Sequence, residues 1–336
     1  MYKAWITKAA KQPMVLETVN FGPLGAEDVE VAVDHCGLCH SDISILTNDW
    51  GISQYPAILG HEVVGRVTAV GANAKRLQVG QCVGVGWFSA SDMHCHQCMS
   101  GNHHLCPQAQ ATIIGHRGGF ASHIRAHWAW ALRLPEKLNP ADAGPLLCGG
   151  VTVFAPLTRF VKPTDRVGII GVGGLGHLAL QIARAMGAEV FALDVSDDKL
   201  DFARELGADH ALNAADPAAL ALLRQQGGAH VAAVTSAAHV AYDAAMTVLR
   251  PGGTLCVIGL PAEPLRFQAL ALVATEAHIV GSAVGTREDL RAVLDLAAHG
   301  AIRCRVETRP LSAVNEVFDA MRRGAIHGRV VLDPRA

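Results

Sequence analysis

Two sets of residues in this chain have the types and spacing of metal ligands. The first is spread along the sequence. "CGLCHSD" supplies Cys36, Cys39, His40, Ser41 and Asp42, "GHEVVG" adds His61 and Glu62, and "GPLLCGGVTVF" adds Cys148. Any one of these alone reads as a core residue, because free cysteine is among the most buried residue types. Together, two thiolates and an imidazole suit a catalytic zinc with an open fourth position. Such a zinc, its charge cancelled by two thiolates, still polarises an alcohol or carbonyl oxygen and lowers the pKa of a bound alcohol. The second set is compact. In "SDMHCHQCMSGNHHLC", Cys95, Cys98 and Cys106 have the spacing of a four-ligand zinc knuckle, and one C-x2-C interval before Cys95 lies Asp92. The stretch alone fits a zinc with a carboxylate as fourth ligand, a site that has lost its metal, or a chance cluster.

A third motif suits a dinucleotide. "GIIGVGGLGHLA" places Gly171, Gly173, Gly174, Leu175 and Gly176 between a β-branched strand and a helix. Glycines there allow a tight turn and let backbone approach a pyrophosphate, whose charge the helix N-terminus stabilises. The next strand ends at Asp194. An acid at that place accepts hydrogen bonds from the adenosine ribose and repels a 2′-phosphate. Asp197 and Asp198 add negative charge with no arginine beside them, so NAD(H) is expected over NADP(H).

These residues need two kinds of scaffold. Over the first ~150 residues, "DVEVAVDH" alternates cleanly, and "HEVVGRVTAVG" and "GQCVGVG" are valine-rich and cut by glycines. They read as strands of a twisted, partly barrel-like sheet. From Cys148 onward strand and helix alternate. In "GLGHLALQIARAMG", Leu178, Ile182 and Ala185 share a helical face and Gly187 is placed to end it. "AYDAAMTVLR" reads as a helix, "PGG" as a turn, and "TLCVIG" and "HIVGSAV" as buried parallel strands. The most apolar run, "FQALALVATEAHIVGSAVG", is broken by Glu276, His278 and glycines and reads as a buried helix followed by a strand, not a membrane span.

Composition sets outer limits. At 336 residues, with half of them hydrophobic, the chain is expected to form two domains with sizeable cores. A net charge of −2 with interspersed signs gives no nucleic-acid surface. The opening "MYKAWITKAAKQPM" is not a secretory signal. Nine cysteines, an odd number in local clusters, read as reduced thiols and metal ligands, which points to the cytoplasm.

Taken with these motifs, "QYPAILGHEVVGRV", "GGFA" and the terminal "HGRVVLD" make the chain resemble a medium-chain zinc-dependent alcohol dehydrogenase, over nearly its whole length. The nearest resemblance is to the cinnamyl-alcohol-dehydrogenase-like branch, with its bacterial broad-range aldehyde reductases. The resemblance implies an α/β fold: a discontinuous GroES-like β-rich domain (1–149 and 287–336) and an inserted doubly wound parallel-sheet Rossmann domain (150–286). It implies that Cys39, His61 and Cys148 bind the catalytic zinc. Glu62 would be an occasional ligand behind it, and Asp42 would orient His61. Ser41 would hydrogen-bond the substrate oxygen and start a proton relay. His40 and Arg329 match positions near the pyrophosphate, Thr152 one near the nicotinamide and Lys199 one near the adenosine ribose. Cys36 is left to core packing.

Where many relatives complete the relay with a histidine, this chain has Ser44, so the proton leaves through water, Ser44 or His40. In the family, four cysteines hold a second, structural zinc; here Asp92 replaces the first. Its oxygen reaches about as far as a sulfur and keeps the charge of the set, so two zinc ions per chain are expected. By position Trp50 and Phe88 line the substrate pocket, with Trp87 close by, which suits unbranched or aromatic primary alcohols and aldehydes. A homodimer or homotetramer is implied, with no membrane or nucleic-acid partner. A zinc-free quinone or enoyl reductase is disfavoured by the three intact ligands. A non-catalytic, zinc-stabilised NAD-binding protein would leave Cys39, His61, Cys148 and Ser41 without a use.

Overall fold

The computed structural model describes residues 1–326 and 328–336; His327, at the head of "HGRVVLD", lies outside the described residues. The chain divides into two compact units. One comprises Met1–Gly149, Thr286–His299 and Cys304–Ala336, and the other Gly150–Gly285 and Gly300–Arg303.

The first unit begins with β1 (Tyr2–Ile6) and β2 (Val15–Val19), an antiparallel ribbon. Next comes β3 (Asp28–Leu38), whose period-two pattern buries Val29, Val31 and Val33. It runs straight into α1 (His40–Thr47). Then follow β4 (Glu62–Val70), β5 (Cys82–Val85), β6 (Phe88–Ala90), α2 (His96–Met99), β7 (Gln110–Ala111), β8 (His123–His127), β9 (Leu132–Arg133) and α3 (Pro140–Ala143).

The second unit alternates. Its elements are α4 (Gly149–Phe160), β10 (Arg166–Ile170), α5 (Gly176–Ala185), β11 (Glu189–Asp194), α6 (Asp197–Glu205), β12 (His210–Asn213), α7 (Pro217–Gln225), β13 (Ala229–Val234), α8 (His239–Val248), β14 (Leu249–Val257), α9 (Ala269–Thr275) and β15 (His278–Gly281). All six strands are parallel, in the order β12-β11-β10-β13-β14-β15. The strand order reverses beside β10, the topological switch point at which such sheets bind ligands beyond their strand ends.

The first unit is completed by α10 (Arg287–Ala298), β16 (Val306–Pro310), α11 (Val314–Arg322) and β17 (Arg329–Asp333). Its main sheet runs β16-β17-β3-β4-β5-β9, with β8 also on β3. The core beneath it includes Phe120 and Phe318, edge to face with centroids 6.1 Å apart, and the fully buried Cys36.

Three local expectations are corrected. The apolar helix α9 buries none of its residues, and Leu270 and Val273 are 79% and 76% exposed. The strand after it, β15, is an edge strand and only partly buried. In α5 the buried stripe is Leu178, Ala179, Ile182 and Ala183, while Ala185 faces outward. Gly187 ends that helix with φ +83°, its N–H donating to the Arg184 carbonyl.

Candidate active site and metal centres

The junction of β3 and α1 places the first metal-ligand set. Cys39 precedes the first turn of α1, and Asp42 sits within it, fully buried. The Asp42 carboxylate binds three partners: the Cys39 N–H donates to one oxygen at 3.0 Å, while the Gly60 N–H at 2.9 Å and His61 Nδ1 at 3.0 Å share the other. With Nδ1 donating to the carboxylate, the neutral ring carries its lone pair on Nε2, which is buried and has no hydrogen-bond partner. The 3₁₀ turn Gly144–Leu147 delivers Cys148 from the other end of the unit. One ligand atom from each of Cys39, His61, Glu62 and Cys148 lies within 4.8 Å of the others, and all four residues are buried.

The four groups perturb one another strongly. A hydrogen bond from Cys148, and then His61 and Arg329, hold the Cys39 thiol well below its usual range, and burial only partly opposes them. Cys148 is pushed up by Cys39 and by burial. Burial alone would depress His61, but Asp42 and Cys39 raise it well above the usual imidazole value. Burial drives the Glu62 carboxyl up to about 7 against the pull of Arg329. A dication favours thiolates, carboxylate and neutral imidazole, so it would reinforce the preference of Cys39 and reverse those of Cys148, His61 and Glu62. The donor set therefore fits zinc: two sulfurs, one unpartnered ring nitrogen and one carboxylate.

Arg329 is 3% exposed, and its Nη2 donates to Glu62 Oε1. The guanidinium assigned above to the pyrophosphate is thus held by the acid behind the metal ligands. Its Nη1 and Glu62 Oε2 are buried without partners. Sequence reading missed this pair, since the residues are far apart in the chain and neither stands in a motif with the other. On α1, Ser41 is partly exposed, with its Oγ 3.8 Å from Cys39 Sγ; Ser44 is buried and His40 is exposed.

The aromatic residues divide. The Trp87 ring meets His61 edge-on at 5.0 Å and Trp50 at 6.2 Å. Phe88 does not join them. Phe88 packs against Trp130 at 5.4 Å. The aromatic rings beside the cluster are thus Trp50 and Trp87, and Phe88 begins β6 directly after Trp87.

The second set closes on itself. Asp92, Cys95, Cys98 and Cys106 also present ligand atoms within 4.8 Å of one another. One Asp92 oxygen accepts the N–H groups of His94 and Cys95, both at 2.9 Å, and these bonds hold its carboxyl below the usual range. Loss of solvent contact and the neighbouring Asp92, Cys95 and Cys106 push the Cys98 thiol up to about 12. Cys98 and Cys106 are buried, whereas Asp92 lines an open surface cavity of about 670 Å³ with Gln54, Ser91 and Gln108. Water therefore reaches the carboxylate but is largely kept from two of the sulfurs. This cavity lies at the lobe; the buried catalytic cluster does not line it.

The nucleotide loop joins β10 to α5. Gly171 has φ +95°, and a side chain on Gly176 would lie 1.8 Å from the Gly171 carbonyl, so neither tolerates a Cβ. A Cβ on Gly173 would meet nothing within 4 Å, leaving bare backbone facing open space, as a pyrophosphate requires. Asp194 ties this loop to the end of β11. Its oxygens accept the N–H groups of Val172 at 2.7 Å, Val195 at 2.8 Å and Ser196 at 3.1 Å, and Lys199 Nζ stands 3.8 Å away. These three N–H groups leave about one of the carboxylate's four lone-pair sites, on a side chain that is 5% exposed. Gly174 and Leu175 lie in the same loop, and Thr152 is a partly buried residue of α4.

Comparison with known proteins agrees with this picture. Residues 25–136 match the model described as alcohol dehydrogenase GroES-like domain, and residues 174–299 match that described as zinc-binding dehydrogenase. An aldehyde reductase, AdhA, of Synechocystis is 40% identical over 99% of this chain and 98% of its own length. An alcohol dehydrogenase of Geobacillus stearothermophilus is 38% identical over 98% and 99%. The cinnamyl alcohol dehydrogenase structure from Sorghum bicolor superposes with a TM-score of 0.92 at 31% identity, covering 99% of this chain and 97% of that one. With its GroES-like unit, its parallel-sheet dinucleotide-binding unit and relatives this similar along its whole length, the chain belongs to the medium-chain, zinc-dependent alcohol dehydrogenase family.

Proposed function

We propose that this protein interconverts primary alcohols and aldehydes, aromatic or medium-chain, using NAD(H) and a zinc held by Cys39, His61 and Cys148. The observation that carries the reading is the unpartnered, buried Nε2 of His61, aimed among two thiols and a carboxylate beside the Trp87 ring. When bound, the zinc supplies a Lewis acid for the substrate oxygen and the nicotinamide supplies or accepts the hydride. The chain's own residues do the rest. Asp42 fixes the His61 tautomer, and Glu62 with Arg329 sets the charge behind the ligands. Trp50 and Trp87 exclude water and select apolar substrates. Ser41 takes or returns the substrate proton at its Oγ, and the exposed His40 beside it offers a way to solvent. A second zinc would be held by Asp92, Cys95, Cys98 and Cys106.

Support for NAD(H) comes from Asp194, whose carboxylate at the end of β11 would repel a 2′-phosphate, with Lys199 Nζ 3.8 Å from it. The test is the oxidation of NADH and, separately, NADPH with cinnamaldehyde, benzaldehyde and a medium-chain aldehyde, with and without a zinc chelator. Chelator-sensitive turnover preferring NADH is expected. Turnover with NADPH alone would overturn the coenzyme assignment, and none with either would overturn the activity. Cys39→Ala or His61→Ala should abolish turnover, by at least about 10³-fold, while NAD binding by fluorescence survives.

A further inference from the structure

Arg287 is the first residue of α10, and the cap before it fixes its backbone. Thr286 Oγ1 accepts the Asp289 N–H at 2.9 Å, and the Asp289 carboxylate accepts the Thr286 N–H at 2.8 Å. From that anchored position the guanidinium lies against the metal lobe of the same unit. Nη2 donates to His103 Nε2 at 2.8 Å, and Nη1 donates to the Ala129 carbonyl at 3.1 Å. The group also sits over the Trp130 ring, 5.8 Å from its centroid. A guanidinium has donors only, so His103 Nε2 is the acceptor and the ring proton is on Nδ1, which reaches the Gly101 carbonyl at 3.3 Å. Burial and the adjacent guanidinium both lower the His103 pKa, which keeps the ring neutral and able to accept.

These contacts fall at the two ends of the lobe. His103 opens the 3₁₀ turn His103–Leu105 that leads into Cys106. Trp130 Nε1 donates to Ser91 Oγ at 3.3 Å, next to Asp92. One guanidinium thus restrains the residue before the first ligand and the turn before the last. Its charge has the right sign as well. Three thiolates and a carboxylate exceed the charge of a dication, and Cys98 partly offsets the lowering of the Arg287 pKa by burial. We propose that Arg287 is the positioning residue of the metal lobe, holding the Asp92 and Cys106 ends of the ligand set in place through Trp130 and His103. The proposal rests on reading Asp92, Cys95, Cys98 and Cys106 as a zinc site.

The test uses the purified full chain, wild type against R287M and R287K. Zinc release to a chromogenic chelator is followed in time, and iodoacetamide labelling of each cysteine is mapped by mass spectrometry. In R287M one zinc should leave about tenfold faster while the other leaves at the wild-type rate. Cys95, Cys98 and Cys106 should label faster, with Cys39 and Cys148 unchanged. R287K should lie between, because lysine keeps the charge but loses the planar fork. H103L, which removes the acceptor and leaves the guanidinium in place, should move in the same direction as R287M and serves if that variant does not fold. Wild-type release and labelling in R287M or H103L would overturn the proposal, as would equal acceleration of both zinc ions. If the wild-type protein holds no zinc at the lobe, the metal reading fails by itself and labelling decides: faster lobe labelling in R287M keeps the clamp, equal labelling ends it.

Discussion

Asp42 is not among the clustered ligands, yet the Cys39 N–H, the Gly60 N–H and the His61 ring all end on its carboxylate. Its role was legible only through the resemblance that "CGLCHSD" carries, since the sequence alone shows neither its burial nor its reach to Gly60 and His61. Arg329 was legible as a residue but not as a contact: nothing in "HGRVVLD" points to Glu62. Asp92 supports the sharpest residue-scale prediction. It alone among its set lines an open cavity, and a carboxylate is a harder ligand than the sulfur it replaces. Asp92→Ala should lower zinc content by about one ion per chain, with activity lost only indirectly through stability. Asp92→Cys should slow chelator-driven loss of that ion by about tenfold. Both are read by metal analysis against time in chelator, and unchanged content in Asp92→Ala would show that another group is the fourth ligand.

Between elements, single polar groups do more than the strand pattern reveals. Glu30 on β3 accepts the Tyr2 hydroxyl of β1 at 2.7 Å and Arg125 of β8 at 3.0 Å, so one carboxylate joins three strands. Burial works against its charge, but the Tyr2 and Arg125 hydrogen bonds outweigh it and hold the carboxyl below its ordinary value. A carboxyl depressed in the folded state stabilises fully above its unfolded pKa, ~4.3, and the contribution is lost as pH falls through the lower folded value. Glu30→Gln should therefore cost about 1 kcal/mol at pH 7, and urea midpoints of variant and wild type should converge near pH 3. An equal gap at both pH values would mean that the charge is not what matters. The strands themselves were readable from the alternation in "DVEVAVDH" and the β-strand–glycine–helix sequence of the nucleotide loop. The misreading of α9 has a physical cause: hydropathy reports that a helix is apolar, not whether its own chain covers it.

For the whole molecule, that uncovered helix is the outstanding feature. β15 is the last strand of the six-stranded sheet, so its outer backbone groups have no partner strand among the described residues. Beside it in sequence, α9 exposes Leu270 and Val273, and Leu260 before it is 55% exposed. An open sheet edge next to exposed apolar side chains favours pairing with another chain, and a two-fold axis lets the same patch cover itself. We propose that the chain associates through the second unit, as a homodimer or a homotetramer. Val273→Asp places a charge at that face twice, once from each copy, and desolvating both is unfavourable by several kcal/mol. Wild-type protein should elute in light-scattering chromatography at twice the monomer mass or a multiple of it, and Val273→Asp should shift toward the monomer while keeping its far-UV circular dichroism. A monomeric wild type would show that α9 faces water in solution, and an unshifted variant would place the contact elsewhere.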